Sequence, residues 1–77
     1  MMPESTPVYI SYPPPQDTRS GCKVSWNIYG SMEEALVCSR VAKYNAKIDA
    51  AMGYDFGFCA PGSIDELPDG RFEVCIP

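Results

Sequence analysis

Apolar and polar residues alternate in two stretches of the N-terminal third of the chain. In Val8-Tyr9-Ile10-Ser11-Tyr12 the residues Val8, Ile10 and Tyr12 share one parity, the period-2 pattern of a half-buried strand. Pro13-Pro14-Pro15 ends that strand, because proline cannot donate to a ladder and a proline triplet favours polyproline geometry. Gln16 to Gly21 then completes a long exposed loop. Residues 22–29 alternate again, which predicts a second strand with Cys22, Val24, Trp26 and Ile28 inward and Lys23, Ser25, Asn27 and Tyr29 outward.

From residue 31 the period changes. Ser31 followed three residues later by Glu34 is a capping box, and Glu33 and Glu34 place negative charge where a helix dipole favours it. Val37, Val41, Tyr44, Ile48 and Met52 then fall within about 80° of arc, the width of a core-facing stripe. Gly53 supplies the C-terminal stop. On the other side of the wheel Ala35, Ser39, Ala42, Ala46 and Ala50 form a small-residue stripe, read either as a surface for close helix approach or as ordinary solvent-side alanine. Arg40, Lys43 and Lys47 line one flank, which reads as a solvated basic face.

Beyond Gly53 the segment Tyr54-Asp55-Phe56-Gly57-Phe58-Cys59 alternates aromatics with small or polar residues, which predicts a strand whose aromatic face covers the helix stripe. Pro61-Gly62 ends it, a connection containing Ile64-Asp65-Glu66-Leu67 follows, and Pro68-Asp69-Gly70 turns the chain into a final strand. In Arg71 to Ile76 the inward set is Phe72, Val74 and Ile76. The resulting expectation is a single α+β domain over residues 1–77, preceded by a frayed segment at 1–7. Its element order is β-β-α-β-β, an antiparallel four-stranded sheet with one long helix packed on one face, and each sequential strand pair is close enough to form a hairpin.

Composition narrows the class. A chain of 77 residues is short enough to bury only roughly 60 to 65% of its unfolded surface, so its own core is marginal and self-association is expected. No uncharged run approaches the length of a membrane span, and the first residues show neither a basic nor an apolar signal region, so the reading is cytoplasmic. The net charge of −4 argues against direct nucleic-acid binding, which requires a basic surface to displace counterions. Cys22, Cys38, Cys59 and Cys75 are spaced by 16, 21 and 16 positions without a C-x-x-C pair, and there is no histidine, so no metal site and no cofactor are expected. At least two of the cysteines read as buried small hydrophobes in a reducing compartment, with disulfides the alternative if the chain is exported.

The same absences speak against catalysis. Without histidine there is no ordinary triad or Cys-His pair, no glycine-rich phosphate loop is present, and a carboxylate pair of Asp55 with Glu34 or Glu73 has only guessed proximity behind it. A binding role has more material. Gly57 inside a strand marks a close approach by a ligand or another backbone. Around it the outer sheet face is expected to display Tyr9, Ser11, Lys23, Asn27, Tyr29, Asp55, Cys59, Arg71, Glu73 and Cys75, against the alternative of an ordinary solvated face.

The run EEALVCSRVAKYNAKIDAAMGYDFGFCAPGSI, followed by Gly-Arg-Phe-Glu-Val, resembles small proteins carried by tailed bacteriophages and prophages, over about residues 31–76. The resemblance implies a class only, short acidic accessory proteins that counter host defences. On that basis the expected function is non-catalytic sequestration of a small nucleotide-like signal molecule by a homo-oligomer in an infected host's cytoplasm. Arg19 and Lys23 are the candidates for phosphate, Asn27 and Asp55 for base or ribose hydroxyls, Tyr29 for stacking and Gly57 for close approach. The alternatives are a protein plug that presents the Pro13 to Gly21 loop and the acidic 64–69 turn to a basic patch on a host complex, and a purely structural protein.

Overall fold

The computed structural model describes residues 8–21, 24–53 and 60–77. Its elements run β1 (Asp17–Ser20), β2 (Ser25–Tyr29), α1 (Met32–Ala51), β3 (Ile64–Glu66) and β4 (Phe72–Ile76). The four strands form one antiparallel sheet in the order β1-β2-β4-β3, and α1 packs against it, the α+β arrangement expected from the sequence. No helix among the described residues is long and apolar enough to cross a membrane.

The two edge strands lie where no alternation announces them. β1 occupies the stretch read as loop, and all four of its residues are exposed, so backbone pairing with β2 rather than side-chain burial holds it. β3 has three residues, two of them exposed acids, and pairs Ile64 with Val74 and Glu66 with Phe72. The hairpin between β3 and β4 closes as its sequence predicts: Gly70 takes φ +88° and donates its N–H to Leu67 O at 2.9 Å, while Leu67 N–H reaches Arg71 O at 2.7 Å.

Val8 to Tyr12, expected to be a strand, is instead an extended strap without a strand partner among the described residues. It is held from the side by α1, through Asn45 and, at the Tyr9 hydroxyl, Asp49. Asn45 accepts a hydrogen bond from Ile10 N–H and donates one to Ile10 O, both at 3.0 Å, so its side-chain amide takes the place of a neighbouring strand's peptide group. The strand expected at 54–59 lies outside the described residues.

α1 starts and stops as expected. Ser31 is the N-cap, its Oγ accepting the Glu34 N–H at 3.3 Å and donating to Glu34 Oε1 at 3.1 Å, and Gly53 follows the C-cap with φ +94°. Of the stripe expected to face the core only Ile48 is buried and Val41 half-buried, while Ala35, Ser39 and Ala42 of the small-residue stripe turn inward. The residues buried against the rest of the protein are Ala35, Cys38, Ser39, Ala42, Asn45 and Ile48, whereas Leu36 and Val37 are 50% exposed and Tyr44 42%.

The strand beneath explains the reversal. Tyr29, expected outward, is fully buried and joins Ala35, Cys38 and Val74 in the core, with Phe72, Ile76, Ile64 and Tyr12 packed around them. A phenol ring rising from the sheet fills the layer that bulky helix side chains would otherwise occupy, so only small residues fit above it. Asn27 shares that parity, and Val24, Trp26 and Ile28 therefore lie on the sheet face away from the helix. The inward assignment of Phe72, Val74 and Ile76 holds: Phe72 pairs with Tyr29 and Val74 with Asn27.

Candidate functional site

Ser39 fixes the chain that follows the helix. Its Oγ donates to Gly62 O at 2.5 Å, and Gly62 N–H donates to Cys75 O at 2.8 Å, so the Pro61-Gly62 turn is tied to α1 on one side and β4 on the other. Glycine is required there for two reasons. Its φ is +86°, and a Cβ would lie 2.8 Å from Ser39 O and 2.9 Å from Lys43 Cγ.

That docking creates a shallow trough of about 440 Å³ between the C-terminal half of α1 and Pro61. It is lined by Ala46 and Ala50, by Lys43 and Lys47, and by Pro61. The spacing follows from the helix: residues four apart stack along one face, so the two alanines and the two lysines make parallel rows. Neither lysine forms an ion pair or hydrogen bond with another described residue. Among the described residues the lining therefore offers methyl groups, an apolar pyrrolidine ring and two ammonium groups. Such a lining can hold an anion with an apolar body.

A second hollow, of about 220 Å³, lies between the strap and α1 and is lined by Tyr9, Ile10, Tyr12, Asn45, Asp49 and Pro77. Its polar groups already serve one another: Asn45 holds Ile10, and the Tyr9 hydroxyl donates to Asp49. Burial pushes the Tyr12 phenol above its ordinary value, which keeps it neutral. This volume is below the roughly 300 to 1,000 Å³ usual for ligand pockets, and its groups act as a clasp for the strap.

The expected site residues are dispersed. Arg19 stands on β1 with its guanidinium 4.2 Å from the Trp26 ring centroid, and it donates to both carboxylate oxygens of Glu73, at 3.0 and 2.7 Å. The hydrogen bonds to Glu73 raise the arginine further above its ordinary value. The Arg19 side chain is 56% exposed and that of Glu73 only 9%, so the pair joins the edge strand to the sheet centre across β2 and compensates a nearly buried carboxylate. Asn27 and Tyr29 are corrected from the outer face to the interior. Asn27 donates to the Tyr29 hydroxyl at 3.1 Å and that hydroxyl donates to Pro13 O at 2.8 Å, which satisfies both polar groups and anchors the proline segment. Lys23, Asp55 and Gly57 lie outside the described residues.

Cys38 and Cys75 are both buried. Burial pushes the Cys38 thiol up, away from the thiolate that a nucleophile or metal ligand needs. Among the described residues no three Cys, Asp or Glu side chains come together to hold a metal ion. The trough residues carried a weak signal in sequence, the basic trio on the flank of the wheel. What was missing was Pro61, brought opposite them by a glycine contact that no pattern of spacing announces.

No family model, no curated protein and no solved structure matches this chain.

Proposed function

We propose that this chain is a non-catalytic binding protein that sequesters a small nucleotide-like anion and works as a self-associating molecule. The observation that carries the reading is the trough lined by Ala46, Ala50 and Pro61 together with Lys43 and Lys47. A flat base covers alanine methyls and a proline ring without needing a directed partner, and ammonium groups meet phosphate as compact point charges. Two lysines one helical turn apart suit a ligand with two phosphates, or with one phosphate held between them. The setting, a phage accessory protein countering host defence in the cytoplasm, rests on the sequence resemblance alone.

Native mass measurement of the protein purified from bacterial cells, followed by calorimetric titration with nucleoside diphosphates and cyclic dinucleotides, tests this reading. The expected result is a species heavier than the 8.5 kDa chain or its multiples by the mass of a nucleotide. Lys43→Glu with Lys47→Glu should abolish the adduct and leave the circular dichroism spectrum unchanged. An unliganded protein that takes up none of these compounds would contradict it.

One observation favours the second reading, a plug for a host protein. β3 is a sheet edge that exposes Asp65 and Glu66, and Asp69 follows in the adjoining turn. That edge offers both backbone hydrogen bonds and negative charge to a basic partner. A bound host polypeptide lost on Asp65→Lys with Glu66→Lys, with no small molecule in the mass spectrum, would select it.

A further inference from the structure

We propose that α1 pairs antiparallel with the α1 of a second copy, through its solvent-facing side and about a two-fold axis at Arg40. The proposal rests on the reading of the chain as self-associating and names the surface that does it. Glu33, Leu36, Val37, Arg40, Tyr44 and Lys47 are all exposed, and at about 100° per residue they share roughly 100° of arc opposite the buried Ala42. This is the reverse of an ordinary amphipathic helix, whose solvent side is polar: here it carries two aliphatic side chains and a tyrosine between charges.

The order of the charges commits the occupant. The solvent-facing side reads acidic at Glu33 and basic from Arg40 to Lys47. A parallel copy would set Glu33 against Glu33 and Lys47 against Lys47. An antiparallel copy centred on Arg40 brings Glu33 opposite Lys47, each seven residues from the axis, and Leu36 opposite Tyr44, each four residues from it. Every pairing occurs twice, as a two-fold contact requires, so one ion pair and one apolar contact in sequence become two of each in the dimer. Val37 falls opposite Lys43, whose aliphatic stem covers it.

Arg40 on the axis opposes its own copy and is the unfavourable element of the pairing. The contact spans the 15 residues from Glu33 to Lys47, about 21 Å of helix, at the small end of stable interfaces, so association is weak and falls with salt.

Sedimentation velocity on the full chain at low salt, from micromolar to millimolar concentration, tests the pairing, with circular dichroism as the check on folding. The wild type is expected to dimerise. Glu33→Lys and Lys47→Glu should each weaken association by about tenfold, and the two together in one chain should restore it to within a few-fold of wild type. Arg40→Leu, which leaves the N-terminal turn intact, should tighten association by about tenfold. A dimer indifferent to the single changes, or not restored by the double change, or weakened by Arg40→Leu, overturns the pairing and leaves self-association standing. A wild type that is monomeric throughout overturns both.

Discussion

The two long faces of α1 differ in a way that inverts the usual rule for helices. The face on the sheet is Ala35, Cys38, Ser39, Ala42 and Asn45, small or polar, with Ile48 as its one large aliphatic residue. The face in solvent carries Leu36, Val37 and Tyr44. Side-chain volume, not hydrophobicity, selected the buried face. The sheet supplies the bulk through Tyr29, Phe72, Val74 and Ile76, and the helix supplies the space. Polar residues on the buried face are admitted because each has a partner: Ser39 holds Gly62 and Asn45 holds Ile10.

Two tyrosines break the comparison most sharply. Tyr29→Ala removes the ring that fills the helix-sheet layer and should cost about 3 to 5 kcal/mol, which unfolds a domain of this size or leaves it marginal. Tyr44→Ala, a change of the same size on the opposite face, should alter stability by no more than about 0.5 kcal/mol. Urea denaturation of the two variants checks both, with monomeric concentrations chosen to exclude association.

Smaller is the effect of adding volume. Ala42→Leu inserts three carbons where no space exists and should cost about 1 to 3 kcal/mol, whereas Val37→Ala, which removes two from the exposed face, should be near neutral. Each kcal/mol corresponds to about 4 to 8 °C in the melting midpoint of a domain this small, so thermal scans resolve the difference.

The mildest effect is with pH. Burial disfavours the thiolate of Cys38 and the phenolates of Tyr29 and Tyr12, so each folded pKa lies above its unfolded counterpart. The stabilisation from keeping these groups neutral is complete below their ordinary values, 9.0 for the thiol and 10.0 for the phenols, and is lost as pH rises through the folded values. The unfolding free energy should therefore stay level through neutrality and fall in the alkaline range, by at most about 1.4 kcal/mol per pH unit for each group, with the melting midpoint following it. Cys38→Ala should move the onset of that fall upward, towards the phenol range.

Local signals in the sequence were sufficient where the chain acts on itself. Ser31 with Glu34, Gly53 and Gly70 fix the ends of α1 and the final turn through contacts within a few residues, and the inward set of β4 follows from its alternation. The β-β-α-β-β order agrees with the expectation, but β1 forms at Asp17–Ser20 rather than at 8–12, and β3 at Ile64–Glu66 in a stretch read as a connection, because these segments are too polar or too short to alternate. What sequence could not settle was which of two plausible faces each central element turns inward. β2 carries apolar residues at both parities, and Ile28 and Tyr29, of opposite parity, are both buried, so alternation has no sign to give. α1 carries one large apolar stripe and one small one, and the choice between them depends on Tyr29, three residues and a turn away in sequence but opposite it in the core. The trough was hidden for a related reason, since Pro61 reaches Lys43 and Ala46 only through the docking of Gly62.

Tyrosine modification of the native protein, read by peptide mass spectrometry, tests the central claim about α1 on the unaltered chain. At submicromolar concentration the peptide bearing Tyr44 should be nitrated readily, while the peptide bearing Tyr29 is modified only after unfolding. Raising the concentration should then protect Tyr44 as copies pair. Rapid nitration of Tyr29 alongside a protected Tyr44 in the dilute protein would mean that the helix turns its bulky face to the sheet, and the account of the core and of the pairing surface would fail together.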